Sequence, residues 1–170
     1  MKALGKGSIA SLLAVGLHVA RVIIFIGLVG LSIGAVVIGA ATIVAPLLPE
    51  GPGQNVIDAI DGGDAVKVFY HLITASVMLY VVNRLLEILR TLRLGSPFVR
   101  ENAVRFQRVG FALLFGESAK IMFALISSAL GADLKVEIEF FTWVGIAAVF
   151  VLAEVFHEGA KMKEEQDLTV

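Results

Sequence analysis

Residues 22–49 read VIIFIGLVGLSIGAVVIGAATIVAPLLP and hold no charged side chain. A helix crossing the ~30 Å hydrocarbon core of a bilayer needs about 20 mostly apolar residues, and this run exceeds that. Gly27, Gly30, Gly34 and Gly39 lie within it, a glycine content more usual in lipid-embedded helices than in soluble ones. Pro46 and Pro49 lack the backbone donor a further turn would need, so the helix is expected to stop there. Working outward, three more spans follow at about residues 65–86, 109–132 and 138–157. The second has an uncharged heart at 68–83 and the fourth at 140–153. The predicted fold is therefore all-α: a single integral-membrane domain over residues 1–170, a four-helix transmembrane bundle with a tail at 158–170.

The whole composition agrees. Of 170 residues, 58% are hydrophobic and 17% charged, against about 45–50% and about 25% in ordinary soluble domains; mean hydropathy is +0.89. These values exclude a disordered chain and a nucleic-acid-coating protein. A net charge of −1 creates no global field to steer an acidic partner. With no cysteine, disulfides, thiolate zinc sites and cysteine nucleophiles are excluded.

The N-terminus requires its own reading. Lys2 and Lys6 precede an apolar stretch at 8–20, and Arg21 leads into the first span. One helix over 8–48 would be about 60 Å long, twice the membrane. A short interfacial segment is therefore expected, with Ile9, Leu12, Leu13, Leu17 and Ala20 toward lipid and Ser8, Ser11 and His18 toward water or headgroups. A long, tilted first helix is the alternative.

Basic residues alternate between the connections. Lys2, Lys6 and Arg21 precede span one; Arg84, Arg90, Arg93, Arg100, Arg105 and Arg108 join spans two and three; Lys161 and Lys163 follow span four. The other two connections carry only Lys67 and Lys135, among Glu50, Asp58, Asp61, Asp64, Asp133, Glu137 and Glu139. Under the positive-inside rule, both termini are expected on the cytoplasmic side of the membrane. Near-zero net charge is thus a cancellation between a basic inner face and an acidic outer one.

Few residues break this sorting. Glu117 and Lys120 fall inside span three, three apart, and so share a helix face. On an insertion scale the two charges cost about 5–7 kcal/mol, against about 3–6 kcal/mol from the Leu, Ile, Phe and Val around them. The span is marginal alone, and both groups should turn from lipid. They read either as a proton or ion relay or as a neutralised pair that locks the bundle. His71, near the outer end of span two, is a third intramembrane polar group; no histidine stands four residues away, so no metal site is expected. Asp58, Asp61 and Asp64 lack the spacing of a calcium loop and read as an acidic outer turn. Gly30 and Gly34 permit close helix approach, within the bundle or in a homo-oligomer.

The connection at 83–108 is the most structured. Leu85, Ile88, Leu89 and Leu92 continue the helical period past span two. Gly95 should end that helix, Ser96 cap the next and Pro97 begin it, with Glu101 and Arg105 paired one turn apart. The result is a cytoplasmic helical hairpin rich in arginine. It could meet anionic lipid or a cytoplasmic protein; its basic residues are interleaved with apolar ones, which argues against direct nucleic-acid binding. No nucleophile–base spacing and no phosphate loop occur, so neither an enzyme nor a cofactor is expected.

Two stretches are more specific: Gly95-Ser96-Pro97-Phe98-Val99-Arg100-Glu101-Asn102, and Leu152 to Lys161 running on to Glu164-Glu165-Gln166-Asp167-Leu168-Thr169-Val170. They resemble a bacterial integral-membrane family known as domain of unknown function 2975, which is also four-spanning over nearly its whole length. The resemblance implies no catalytic residue. It does imply a setting, because members often accompany a small helix-turn-helix regulator. The expected function is non-enzymatic and regulatory: binding or sequestering such a regulator through an inner face made of Arg90, Arg93, Pro97, Phe98, Glu101, Asn102, Arg105, Glu154, Glu158 and Glu165. The alternative is a small oligomeric transporter or channel subunit using Glu117 and Lys120.

Overall fold

A computed structural model describes residues 9–44, 47, 62–95, 97–131, 134, 136–137 and 139–168. Four helices run through them in chain order: α1 (Ile9–Val44), α2 (Gly62–Arg93), α3 (Arg100–Ala129) and α4 (Phe140–Asp167). No strand occurs among the described residues. Each helix is long and apolar enough to cross a membrane. The all-α, four-helix reading of the sequence therefore stands.

Burial identifies the solvent these helices suit. In the most apolar 18-residue window of α1, no residue is buried within the molecule. Large apolar side chains stand open along the other helices too, Phe111 and Phe115 on α3 and Phe141 on α4 among them, the last 84% exposed. In water such a surface would drive aggregation; in hydrocarbon it is the normal exterior. By length and composition the chain is a multi-pass membrane protein.

One expectation is corrected. Among the described residues there is no separate N-terminal interfacial segment: residues 9–20 form the first turns of α1, which runs 36 residues unbroken, about 54 Å. The long first helix, the alternative reading, is the observed one. The reason is local, since no proline interrupts residues 9–44 and Gly16 is tolerated at modest cost. Leu17 and Ala20, expected on the lipid side, lie instead on the less exposed face with Ala14, which is buried. Ile9, Leu12, Leu13 and His18 are exposed.

Helix α2 ends where Gly95 enters the left-handed region at φ +80°, a conformation only glycine adopts freely. The Leu94 and Gly95 N–H groups donate to the Arg90 and Leu92 carbonyls. A second correction follows. Pro97 does not open α3: residues 97–99 are non-helical, and the helix begins at Arg100. The Val99 N–H turns back onto the Pro97 carbonyl, and the Asn102 N–H onto Val99. The cap expected at Ser96 lies outside the described residues. So do Lys2, Lys6, Ser8, Pro46, Pro49, Asp58, Asp61, Asp133, Lys135, Thr169 and Val170. At its far end α4 continues ten residues past the expected span, to Asp167.

Contacts gather into two units. One comprises Met1–Ile24, Val77–Phe115 and Ile138–Val170. Its buried apolar residues are Ala14, Ile88, Ala103, Val109, Ile146, Ala153 and Ala160. The other comprises Phe25–Ser76 and Gly116–Glu137. Its core is Val66, Ala119 and Phe123, with Tyr70, Ile73 and Leu134 packed against them.

Candidate functional site

The first unit holds the hairpin where α2 hands over to α3. Its centre is Asn102, with no exposed surface. A buried amide must have its donors and acceptor satisfied, and here they are. Asn102 Nδ2 donates to the Pro97 carbonyl at 2.9 Å and to Thr91 Oγ1 at 2.6 Å. Thr91 can accept because its own proton goes to the Ile88 carbonyl at 2.7 Å. Asn102 Oδ1 accepts from Arg105 Nη1 at 2.8 Å. Arg105 Nε then reaches Glu87 Oε2 at 3.2 Å, and Arg84 Nη1 grips both oxygens of the same carboxylate at 2.9 and 2.7 Å. The Tyr80 ring lies 4.9 Å from the Arg84 guanidinium, within cation–π range. Glu87 is thus shared by two guanidiniums, and a continuous chain of bonds ties α2, the Pro97 turn and α3 together.

This corrects one expected pair. Arg105 does not bond Glu101, one turn before it; it takes Glu87 across the hairpin. Glu101 stays exposed. Glu87 is partly buried and faces Arg105 with Arg84 already beside it, so one carboxylate serves two guanidiniums, whereas Glu101 stands exposed.

Ring-on-glycine packing closes the other side. Phe98 lies against Gly159 of α4; a Cβ there would stand 2.5 Å from Phe98 Cδ1. Phe98 and Phe106 both approach Phe156, with ring centroids 5.5 and 4.9 Å away. Nine residues before Gly159, in the reverse sense, Phe150 of α4 lies over Gly110 of α3, where a Cβ would stand 2.7 Å from Cζ. Two glycines on facing helices thus each receive the other side's aromatic ring. The residues of the Gly95–Asn102 motif gain separate tasks: Gly95 ends α2, Pro97 offers an acceptor, Phe98 fills the notch at Gly159, and Asn102 centres the network.

The predicted inner face spreads over three open clefts. Arg90 and Arg93 line an open cleft between α1 and the end of α2. Glu154 lines another, between α3 and α4, together with Arg100 and His157. Glu101 and Arg105 line a third cleft with Arg84, Glu87, Arg100 and Arg108, while Pro97 is half-buried and Asn102 buried. Glu158 and Glu165 are exposed along the outer part of α4.

The second unit holds the intramembrane ion pair. Lys120 Nζ lies 2.9 Å from Glu117 Oε1, and Glu117 is buried. The pairing predicted from the three-residue spacing is present. His71 is exposed, its ring 5.1 Å from that of Tyr70, which meets Phe123 edge-on at 6.0 Å. Asp64 pairs with Lys67 at 3.1 Å. Ser127, 1% exposed, accepts the Leu134 N–H at 3.1 Å just past the end of α3. None of the glycines Gly27, Gly30, Gly34 and Gly39 has an atom within 4 Å of where its Cβ would be, so among the described residues these positions make no close helix approach.

Sequence reasoning passed over Glu87, Thr91 and Tyr80. A signal existed for Glu87, since Arg84 precedes it by three residues on a helix. None existed for Thr91, whose role depends on Asn102 eleven residues away. No curated protein and no solved structure matches the chain. The family described as "Protein of unknown function (DUF2975)" matches residues 60–170. That match takes in the Pro97 turn, the Asn102 network and the whole of α4, and the chain belongs to this family.

Proposed function

We propose that the protein is a non-enzymatic regulatory protein of the bacterial cytoplasmic membrane, with both termini in the cytoplasm, which binds or sequesters a small DNA-binding regulator. One observation carries this reading: the hairpin is braced internally, while a charged rim is left outside the brace. Arg100, Glu154, His157 and Glu158 are all exposed, and no ion pair joins them to one another. Holding side chains in place before a partner arrives lowers the ordering cost of binding. A regulator that binds DNA carries a basic face, and Glu154 and Glu158, one turn apart on α4, suit it. The alternation of basic connections supports the orientation.

Full-length protein in detergent, used to capture cytosolic proteins, tests this. The wild type should retain a small basic DNA-binding protein, and Glu154→Lys/Glu158→Lys should lose it. Capture of no cytosolic protein, or capture indifferent to the substitution, overturns the reading.

The buried Glu117 favours a second reading, a transporter or channel subunit, because an ionisable group inside a span often marks an ion path. Its own counter-charge 2.9 Å away weighs toward a structural pair. Proton flux into liposomes that is unchanged by Glu117→Gln would remove this alternative.

A further inference from the structure

The cleft between α1 and the end of α2 is strongly basic. It is about 670 Å³ and lined by His18, Arg21, Arg84, Glu87, Arg90 and Arg93, among others. Four arginines face one carboxylate, and that carboxylate is already held by Arg84 and Arg105. Among the described residues, no carboxylate lies within 4.0 Å of Arg21, Arg90 or Arg93. Arg84 Nε is buried without a hydrogen-bond partner. His18 is spent on its own helix, donating Nδ1–H to the Ala14 carbonyl at 2.7 Å. Guanidiniums gathered without counter-charge suit an anion with several oxygens.

The depth of the cleft says which anion. The uncharged run of α1 begins at Val22 and that of α2 ends at Asn83. Arg21 and Arg84 are the residues immediately outside those runs, so both mark the level where hydrocarbon gives way to headgroups. Val15 and Val22, three before and four after His18, share its helix face and are 62% and 57% exposed. Apolar surface therefore adjoins the charged cleft along the same helix. We infer that this cleft binds the phosphodiester headgroup of an anionic phospholipid, with an acyl chain lying along the Val15 and Val22 face of α1. Basic pockets between membrane helices are suited to such headgroups. The inference does not depend on the regulator-binding reading, which uses the α3–α4 side.

The test uses full-length protein in detergent, titrated with phosphatidylglycerol, phosphatidylethanolamine or glycerol 3-phosphate while thermal unfolding and bound lipid are followed. Phosphatidylglycerol should raise Tm and remain bound, less so at high salt. At about 1 kcal/mol per basic residue near the surface, Arg21→Gln and Arg93→Gln should each weaken it about fivefold. The triple variant Arg21→Gln/Arg90→Gln/Arg93→Gln should bind it no better than phosphatidylethanolamine, and Arg100→Gln/Arg108→Gln should bind as the wild type does. If the triple variant does not fold, the single variants decide. Equal response to the two lipids overturns the proposal, as does loss of binding in Arg100→Gln/Arg108→Gln with none in the cleft variants. An equal response to glycerol 3-phosphate would assign the cleft to a soluble phosphate and overturn the lipid.

Discussion

Asn102 shows how one side chain can hold a hairpin. It donates to Pro97 and Thr91, accepts from Arg105 and has no access to solvent. Asn102→Ala removes the connector and leaves three groups to find other partners. At about 1 kcal/mol for a neutral bond and more for one to a charged group, it should lose about 3 kcal/mol, read as a lower Tm in detergent. The two ring-on-glycine contacts separate in a similar measurement. An alanine at Gly159 would meet Phe98 at Cδ1, Cε1 and Cγ, near the root of the ring; one at Gly110 would meet the tip of Phe150 at Cζ. A tip swings aside more easily than a root. Gly159→Ala should therefore cost about 1–3 kcal/mol. Gly110→Ala should stay within about 1 kcal/mol of the wild type, because helix propensity offsets part of the crowding. Equal losses would show that neither ring relaxes. The sequence marked Phe98 and Asn102 through their motif, but their partners were not legible. Thr91 and Gly159 are ordinary helix residues until the fold brings them opposite.

At the scale of elements, helix existence was legible and helix ends only partly so. Every expected span has its helix, since about 20 apolar residues leave little else for a chain in lipid. Gly95 ended α2 as its backbone freedom implied. Pro97 did not begin α3, because its carbonyl was taken by Asn102 and Val99, which no local rule foresees. Span three tests the ion pair. Glu117→Gln and Lys120→Met should each lower folded yield, and the double variant should recover part of it. A thermodynamic cycle over the four proteins should give a coupling of about 1–3 kcal/mol; a coupling near zero would mean that the 2.9 Å contact does not stabilise the fold. In α1, by contrast, Gly30→Leu and Gly34→Leu should leave the Tm of the monomer unchanged, since the space beside each is open.

For the whole molecule, orientation is open to direct measurement because the chain has no cysteine. Single cysteines placed at Leu94, Leu130 and Gln166 report without interference. Leu94→Cys and Gln166→Cys should label from one side of the membrane and Leu130→Cys from the other; labelling of all three from one side would refute the four-span topology. That topology follows from sequence alone, because both the length of apolar runs and the sorting of basic residues are one-dimensional properties, set by membrane thickness and surface charge. The Glu117–Lys120 pair follows too, since three residues of helix place two side chains on one face. Tertiary structure decided the rest. It gave Arg105 to Glu87 rather than Glu101, set Phe98 on Gly159, and spread the predicted arginine face over three clefts. Such choices rest on distances across helices, and an ion pair or a ring contact weakens within a few ångströms. Only the packed chain fixes those separations.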